Sequence, residues 1–179
     1  MKRIERKGFW LGVTFLLVFG LARVWTISAG ARQDIVGEKA PAFEIATVAG
    51  EQFSLEQMRG KVVVLDFWAV WCGPCVKSMP FFQTLSEKYG ADGLEVVGVH
   101  VDDRMPPPEE VGTYLEKLGV SYTNLISTVD VDNEFMIYAM PTTYLIDREG
   151  VIVKRHIGFN PSKTPDRLQE DIRGLLGLD

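Results

Sequence analysis

Cysteine and histidine are scarce in this chain. Its 179 residues include two cysteines and two histidines, His100 and His156. A structural zinc site usually needs four such ligands, and these four lack the paired spacing of a zinc finger. A structural metal centre is therefore a poor explanation for the protein, and we expect neither a metal nor another cofactor.

Basic residues are also few outside the N-terminus. Lys and Arg number 19 in total, but five of them lie in residues 1–31 together with a single acid. The remaining residues carry 14 basic and 23 acidic groups. A mildly acidic body argues against nucleic acid as a partner, because nucleic-acid-binding surfaces are basic.

An apolar stretch dominates the N-terminus. Residues 1–7 are basic, and residues 8–28 carry one charge, Arg23. A membrane-spanning helix needs about 20 such residues. We predict a cytoplasmic basic tail at 1–7, a signal-anchor helix at 8–28 and a linker at 29–37. The alternative is a cleavable signal peptide, for which small residues at 29–31 supply a cleavage site.

Both interpretations of the N-terminus place the body of the protein outside the cytoplasm, because basic flanks stay inside. No cysteine lies near the apolar stretch, which excludes a lipoprotein anchor. We therefore expect a chain held in the membrane by its N-terminus. Its folded domain would lie in the periplasm or at the outer face of the cell membrane.

Apolar runs separated by turn signals predict an α/β domain over residues 38–179. Residues 42–53 suggest a hairpin, and the uninterrupted apolar run 62–68 suggests a strand buried on both faces. A turn at 148–150 makes the last two strands antiparallel and the sheet mixed. A further strand is expected at 94–101. Helices are expected from Gly73 or Pro74 to Tyr89, from Pro108 onward, and over residues 130–138. The last helix is expected to be capped by Thr164 and to end at Gly177.

The two cysteines, Cys72 and Cys75, lie three positions apart at the predicted junction between a strand and a helix. Amides at a helix N-terminus favour an anion, so we expect Cys72 to be the reactive thiol, with a pKa of about 7 or below. Cys75 would then resolve the mixed disulfide. The alternatives are half of a metal site, inert buried thiols, and a structural disulfide, which would add little stability across so short a loop.

Segments around the cysteines resemble a known family. Residues 62–75, VVVLDFWAVWCGPC, look like a thioredoxin active site. With the apolar N-terminus, APAFEIATVAGEQFSLEQMRGK ahead of the motif and MPTTYLID after it, the chain is similar to the ResA/TlpA type of exported thioredoxin-like reductases. The resemblance covers about residues 38–179. It implies a thioredoxin fold, in which helices flank a central mixed sheet, with an N-terminal hairpin and a helix-containing insertion at about 103–138. It also implies disulfide-reducing activity outside the cytoplasm, often in cytochrome c maturation.

The resemblance also assigns roles to individual positions. Pro141 matches the family's cis-proline, which would present the backbone of Met140 opposite Cys72 for pairing with an extended substrate segment. Structural alternatives are a trans-proline at a strand start for Pro141 and an ordinary strand-end glycine for Gly158. The predicted catalytic residues are Cys72, Cys75, Asp66 and Pro141, and the predicted substrate-binding residues are Trp71, Gly73, Pro74, Met140, Thr142 and Gly158.

Asp66 lies in the buried strand six residues before Cys72, where thioredoxins place a buried acid. Burial raises the pKa of a carboxyl group, so Asp66 can take the proton of Cys75 as that thiol attacks. The alternative is an acid at the strand end that reaches solvent. Gly98 stands where thioredoxins have a lysine beside this acid, and Asp103 is a candidate second acid near the site.

Three further polar residues receive structural interpretations. His100 lies within the second predicted buried strand and is interpreted as a half-buried packing residue. Arg155 and His156 are expected on the solvent face of the last strand.

The leading functional hypothesis is an extracytoplasmic thiol-disulfide oxidoreductase that reduces disulfides of client proteins, with apocytochrome c as a candidate client. The Gly-Pro spacer between Cys72 and Cys75 matches the reducing thioredoxins. Electrons would come from a membrane thiol carrier of the CcdA/DsbD kind, and we expect a monomer. Two alternatives use the same cysteines: a disulfide-donating oxidase or isomerase, and a copper-handling metallochaperone, since soft thiolates suit Cu(I).

Overall fold

The computed structural model describes residues 34–101 and 107–178. The predicted N-terminal tail and signal-anchor helix lie outside these residues, and so does Asp103. Within the described ranges, no helix is long and apolar enough to cross a membrane.

The folded body begins before the predicted boundary at residue 38. Ile35 is buried in the core. The backbone N–H of Gly37 donates to the carbonyl of Ile152 at 2.7 Å. This segment lies in the predicted linker, but the buried side chain and the hydrogen bond make it part of the domain.

A small hairpin precedes the central sheet. Strand β1, Glu44–Ala46, pairs antiparallel with β2, Gln52–Ser54. A 3-10 helix, Leu55–Met58, follows directly. Phe43 and Phe53 stack with their ring centroids 6.2 Å apart, which fixes the hairpin against the domain through its apolar face.

Five strands form the central mixed sheet, in the order β5-β4-β3-β6-β7. Strands β3, β4 and β5 are parallel, whereas β6 and β7 run antiparallel to their neighbours. The predicted fold class is confirmed. The strands are β3, Val62–Trp68; β4, Leu94–His100; β5, Thr123–Ile126; β6, Thr142–Ile146; and β7, Ile152–Ile157.

The central position of β3 explains its sequence. Every residue of β3 is buried because strands flank both of its edges and packed layers cover both of its faces. A strand in that position reads as a continuous apolar run, and Asp66 is the one charged residue within it.

Four helices complete the described part of the domain. They are α1, Gly73–Tyr89; α2, Pro108–Lys117; α3, Val129–Glu134; and α4, Thr164–Leu176. The described part of the predicted insertion contains α2, β5 and α3, so it also supplies the edge strand of the central sheet.

Two predicted helix features are wrong. Helix α3 ends at Glu134 rather than near 138, because Met136 adopts a left-handed backbone with φ of 53°. Thr164 does not cap α4. Its hydroxyl instead accepts a hydrogen bond from the backbone N–H of Asn160 at 2.9 Å, and Lys163 occupies the capping position.

Two apolar cores cover the faces of the sheet. The helix-side core contains residues of alternate β3 positions and of α1, α2 and α4, namely Val62, Val64, Trp68, Cys75, Met79, Phe82, Val111, Leu115, Leu168 and Ile172. The hairpin-side core contains Val63, Leu65 and Phe67 of β3 with the hairpin and α3. Asp66 shares its parity with Val64 and Trp68, so its side chain projects toward the helix-side core.

Gly98 makes room for a buried hydrogen-bonded pair on that face. The Nε1 group of Trp68 donates to Oδ1 of Asn124 at 2.9 Å, and Nδ2 of Asn124 donates to the carbonyl of Tyr122 at 2.9 Å. A Cβ atom at position 98 would overlap the Asn124 carboxamide and lie 3.0 Å from Nε1 of Trp68. No lysine fits at this position without breaking the Asn124–Trp68 hydrogen bond.

Gly98→Ala is expected to lower the free energy of unfolding by about 1–3 kcal/mol, because the new methyl group displaces a side chain held by two hydrogen bonds. Gly90→Ala is the control, since Gly90 is exposed and no atom lies within 4 Å of the position of its Cβ. The control should be neutral or slightly stabilising. Equal denaturant midpoints for the two variants would contradict this packing account.

Candidate active site

The cysteine pair lies where β3 gives way to α1. The backbone N–H of Cys72 donates to the carbonyl of Ala69 at 3.0 Å, which closes the turn between the two elements. Cys72 then occupies the capping position of α1, and its Sγ accepts from the backbone N–H of Cys75 at 3.3 Å. Pro74 suits the first turn of a helix because its missing N–H has no partner to lose there. Cys72 and Cys75 are joined by a disulfide bond.

The two sulfurs differ in their access to solvent. Cys72 is 5% exposed and is flanked by exposed residues, Trp71 and Gly73. Cys75 is fully buried among residues of the helix-side core. An incoming sulfur therefore reaches Cys72, whereas Cys75 can react only with a partner that Cys72 has already brought in.

Asp66 is fully buried on the face that carries Cys75. Its Oδ1 accepts from the hydroxyl of Thr143 at 2.7 Å, and its Oδ2 has no hydrogen-bond partner among the described residues. Burial raises its pKa from 3.8 to about 7, and the Thr143 hydrogen bond opposes this effect. A carboxyl with this pKa can accept or release a proton near neutral pH.

The loop before β6 holds several of the predicted substrate-binding residues. The Met140–Pro141 peptide bond is cis, as the resemblance implies. Met140 is partly buried against the helix-side core, which also contains Cys72. The hydroxyl of Thr142 donates to the carbonyl of Ala139 at 2.8 Å, and its side chain is buried, so this residue supports the loop from within.

Gly158 lies beside this loop. Its backbone N–H donates to the carbonyl of Pro141 at 2.7 Å. Its φ of +80° favours glycine, and no atom lies within 4 Å of the position of its Cβ. The residue that follows β7 therefore lies close to Pro141, so two predicted site residues are brought together.

Comparisons with known proteins agree with this geometry. The redoxin family matches residues 35–172. The chain belongs to the redoxin family. It is 30% identical over 174 residues to a thiol-disulfide oxidoreductase ResA of Halalkalibacterium halodurans, which covers 94% of this chain and 97% of the relative. It is also 35% identical over 127 residues to the thioredoxin-like protein YneN of Bacillus subtilis, covering 71% of this chain and 74% of the relative.

A solved structure supports the same assignment. The thiol:disulfide interchange protein DsbE from Chlorobium tepidum matches with a TM-score of 0.73 and 34% identity, covering 79% of this chain and 98% of that chain. The protein is thus a redoxin of the ResA/TlpA thioredoxin-like type and a thiol-disulfide oxidoreductase, and its structure contains a Cys72–Cys75 disulfide.

Three polar residues lie in places that the sequence did not predict. His100 is fully buried rather than half-buried, and its ring meets that of Trp68 edge to face with centroids 4.8 Å apart. Arg155 and His156 are partly buried rather than on a solvent face. Arg155 lies 3.6 Å from the Asp34 carboxylate, and His156 lies 3.4 Å from that of Asp171.

Sequence analysis missed Thr143, whose hydroxyl donates to Asp66, and Tyr122, which packs in the same core. Neither had a usable signal, because the place of Thr143 depends on how β6 aligns with β3, and that of Tyr122 on how β5 aligns with β4. Among the described residues, no group of three or more His, Cys, Asp or Glu side chains is arranged to hold a metal ion.

Asp66→Asn is expected to make the disulfide form more stable than wild type at neutral and alkaline pH. The folded-state pKa of Asp66 is raised, so its contribution to stability is fully present below pH 3.8 and is lost as the pH rises through about 7. The difference between the two pKa values corresponds to about 4 kcal/mol at most. Chemical denaturation from pH 4 to pH 8 should show the advantage of the variant growing toward pH 7 and then levelling off.

The control for this experiment is Glu134→Gln, which changes an exposed carboxylate at the end of α3. Its difference from wild type should not follow the same curve. An Asp66→Asn difference that stays constant from pH 4 to pH 8 would show that Asp66 is not the buried acid described above.

Proposed function

We propose that this oxidoreductase works as a reductase of client disulfides. In the first step the Cys72 thiolate attacks a client disulfide, a Cys72–client disulfide forms and one client thiolate leaves. Cys72 is the more exposed residue of the pair, and its Sγ accepts a hydrogen bond from the backbone N–H of Cys75 at a helix N-terminus. That position stabilises the negative charge of the attacking sulfur.

In the second step Cys75 attacks the Sγ of Cys72 and the second client thiolate leaves. The Cys72–Cys75 disulfide of the structure is the product of this step. Two electrons pass from the cysteine pair to the client, and Cys75 must lose its proton before it attacks. Asp66 is the acceptor that we propose for this proton, since it is buried on the same face with a pKa of about 7.

The buried Asp66 is the observation that favours a reductase over a disulfide donor. Strong oxidants of this fold owe their potential to a stabilised reduced form, which carries a thiolate. An ionised Asp66 adds a second negative charge in a region that excludes water, and so opposes stabilisation of thiolate there. The Gly73–Pro74 spacer, which matches the reducing thioredoxins, agrees with this direction.

Three exposed apolar side chains near the predicted site residues in sequence or strand pairing suit a protein client. Trp71, Tyr138 and Ile157 are 55%, 67% and 50% exposed. Trp71 precedes Cys72, Tyr138 lies two residues before Met140, and Ile157 pairs with Thr142 across β6 and β7. We propose that an extended client segment lies along the Met140–Pro141 loop, with its apolar side chains on these three residues.

The proposed setting is outside the cytoplasm, with the chain anchored in the membrane by residues 8–28. The basic start and the apolar stretch of the sequence support this proposal. A reductase in that compartment needs an electron source, for which a membrane thiol carrier of the CcdA/DsbD kind is the proposed partner. Clients would be exported proteins with cysteine pairs, apocytochrome c among them, and the proposed working form is a monomer.

Single cysteine variants test the proposed order of steps. Cys72→Ser should abolish reduction of insulin disulfides with dithiothreitol as electron source, because no accessible nucleophile remains. Cys75→Ser should instead accumulate mixed disulfides with clients in the cell envelope, which reductant releases. The double variant is the control and should trap no client. Activity in Cys72→Ser, or trapping by Cys72→Ser in place of Cys75→Ser, would overturn the assignment.

A further inference from the structure

A row of five residues crosses the central sheet at the level of Asp66. In strand order they are Asn124, Gly98, Asp66, Thr143 and His156, each paired with the next. Laterally paired residues share a face, so all five face the helix-side core. The buried acid therefore has neighbours on two sides, which differ in what they offer its carboxyl group.

The two neighbouring strands differ in the hydrogen bonds that they offer to the Asp66 carboxyl group. On the β6 side, the Thr143 hydroxyl donates to Oδ1 at 2.7 Å. On the β4 side, Gly98 has no side chain, and Oδ2 finds no partner among the described residues. Buried carboxylate oxygens are nearly always hydrogen-bonded, so a donor for Oδ2 is expected on the β4 and β5 side.

Tyr122 carries a buried hydroxyl that, like Oδ2 of Asp66, lacks a hydrogen-bond partner among the described residues. It lies two residues before Asn124, which places it on the same face of the sheet as Asn124 and Asp66. Its side chain packs in the helix-side core with Cys75, and its hydroxyl has no partner among the described residues. Burial and, second, the negative charge of Asp66 raise its pKa well above 10, so the hydroxyl keeps its proton and remains a donor.

We propose that Tyr122 is a positioning residue for Asp66, whose hydroxyl donates to Oδ2 through one buried water and so stabilises the ionised carboxylate. The proposal rests on the proton-acceptor role given to Asp66 above.

Other titratable groups also face Asp66 and must be separated from Tyr122. Cys75 faces it from α1, and His100 lies two residues beyond Gly98 on β4 with the same orientation. His156 lies beyond Thr143 on β7, where Asp171 of α4 holds it at 3.4 Å. His156 is therefore the alternative titratable partner of Asp66, on the β7 side of the sheet.

Carbon-13 NMR titration of the Asp66 carboxyl in the purified full-length protein tests this inference without relying on activity. Tyr122→Phe removes a hydrogen bond to the charged carboxylate, so the Asp66 midpoint should rise by about 0.5–1 pH unit. The matched control is Tyr89→Phe, which removes another buried hydroxyl of the helix-side core, at the far end of α1. The control should leave the Asp66 midpoint unchanged.

The pH profile of disulfide reduction supplies the second readout. Its midpoint should rise by the same amount in Tyr122→Phe, since the rate of resolution follows ionisation of Asp66. An unchanged midpoint in Tyr122→Phe, or an equal shift in Tyr89→Phe, overturns the inference. A shift in His156→Gln with none in Tyr122→Phe also overturns it and assigns the link to β7. Full activity of Asp66→Asn would refute the proton role of Asp66, while the carboxyl titration would still report whether Tyr122 contacts it.

Discussion

The turn between β3 and α1 is the constraint on which the rest of this structure depends. A strand buried on both faces ends in the turn closed by Cys72 and Ala69, and α1 begins at the next residue. One sulfur thereby caps the helix and reaches the surface, and the other lies one turn deeper in a closed core. The proposed division of work between an attacking and a resolving thiol rests on this difference, because a disulfide exchange needs one accessible sulfur and a second one that attacks later.

Two opposing electrostatic effects meet at that turn. The N-terminus of α1 stabilises negative charge on Cys72, which speeds attack but also favours the reduced form of the pair. Asp66 is fully buried on the same face of the sheet as Cys75, and this burial raises its pKa to about 7. In the proposed mechanism the helix N-terminus activates Cys72, whereas Cys75 needs Asp66 as a proton acceptor before it attacks. Gly98 stands beside Asp66 and offers it no cation. The polar neighbours of Asp66 in the row across the sheet are therefore a hydroxyl group and an amide group, and no ion pair forms with a residue at position 98.

Local sequence predicted the elements whose signal is contained within the element itself. The run 62–68 is apolar except for Asp66 and forms β3 with those bounds, and the helix predicted to end at Tyr89 does so. Features that depend on alignment between distant strands were not predictable, because residue spacing along one strand does not reveal its register with another. Burial of His100 against Trp68, and the place of Tyr122 in the helix-side core, are of this kind. The early end of α3 depends on the left-handed backbone of Met136. Glycine usually marks such a conformation, and here the position is occupied by methionine.

The reduction potential of the Cys72–Cys75 pair is the measurement that tests this account most directly. Equilibration of the full-length protein with a defined thiol buffer, followed by quantification of free thiols, provides the value. If the buried acid offsets the stabilisation of the Cys72 thiolate, the potential should lie near that of thioredoxin, at about −270 mV. A value near −120 mV would show that the reduced form is strongly stabilised. In that case the helix N-terminus dominates the site, and the protein is a donor of disulfides rather than a reductase.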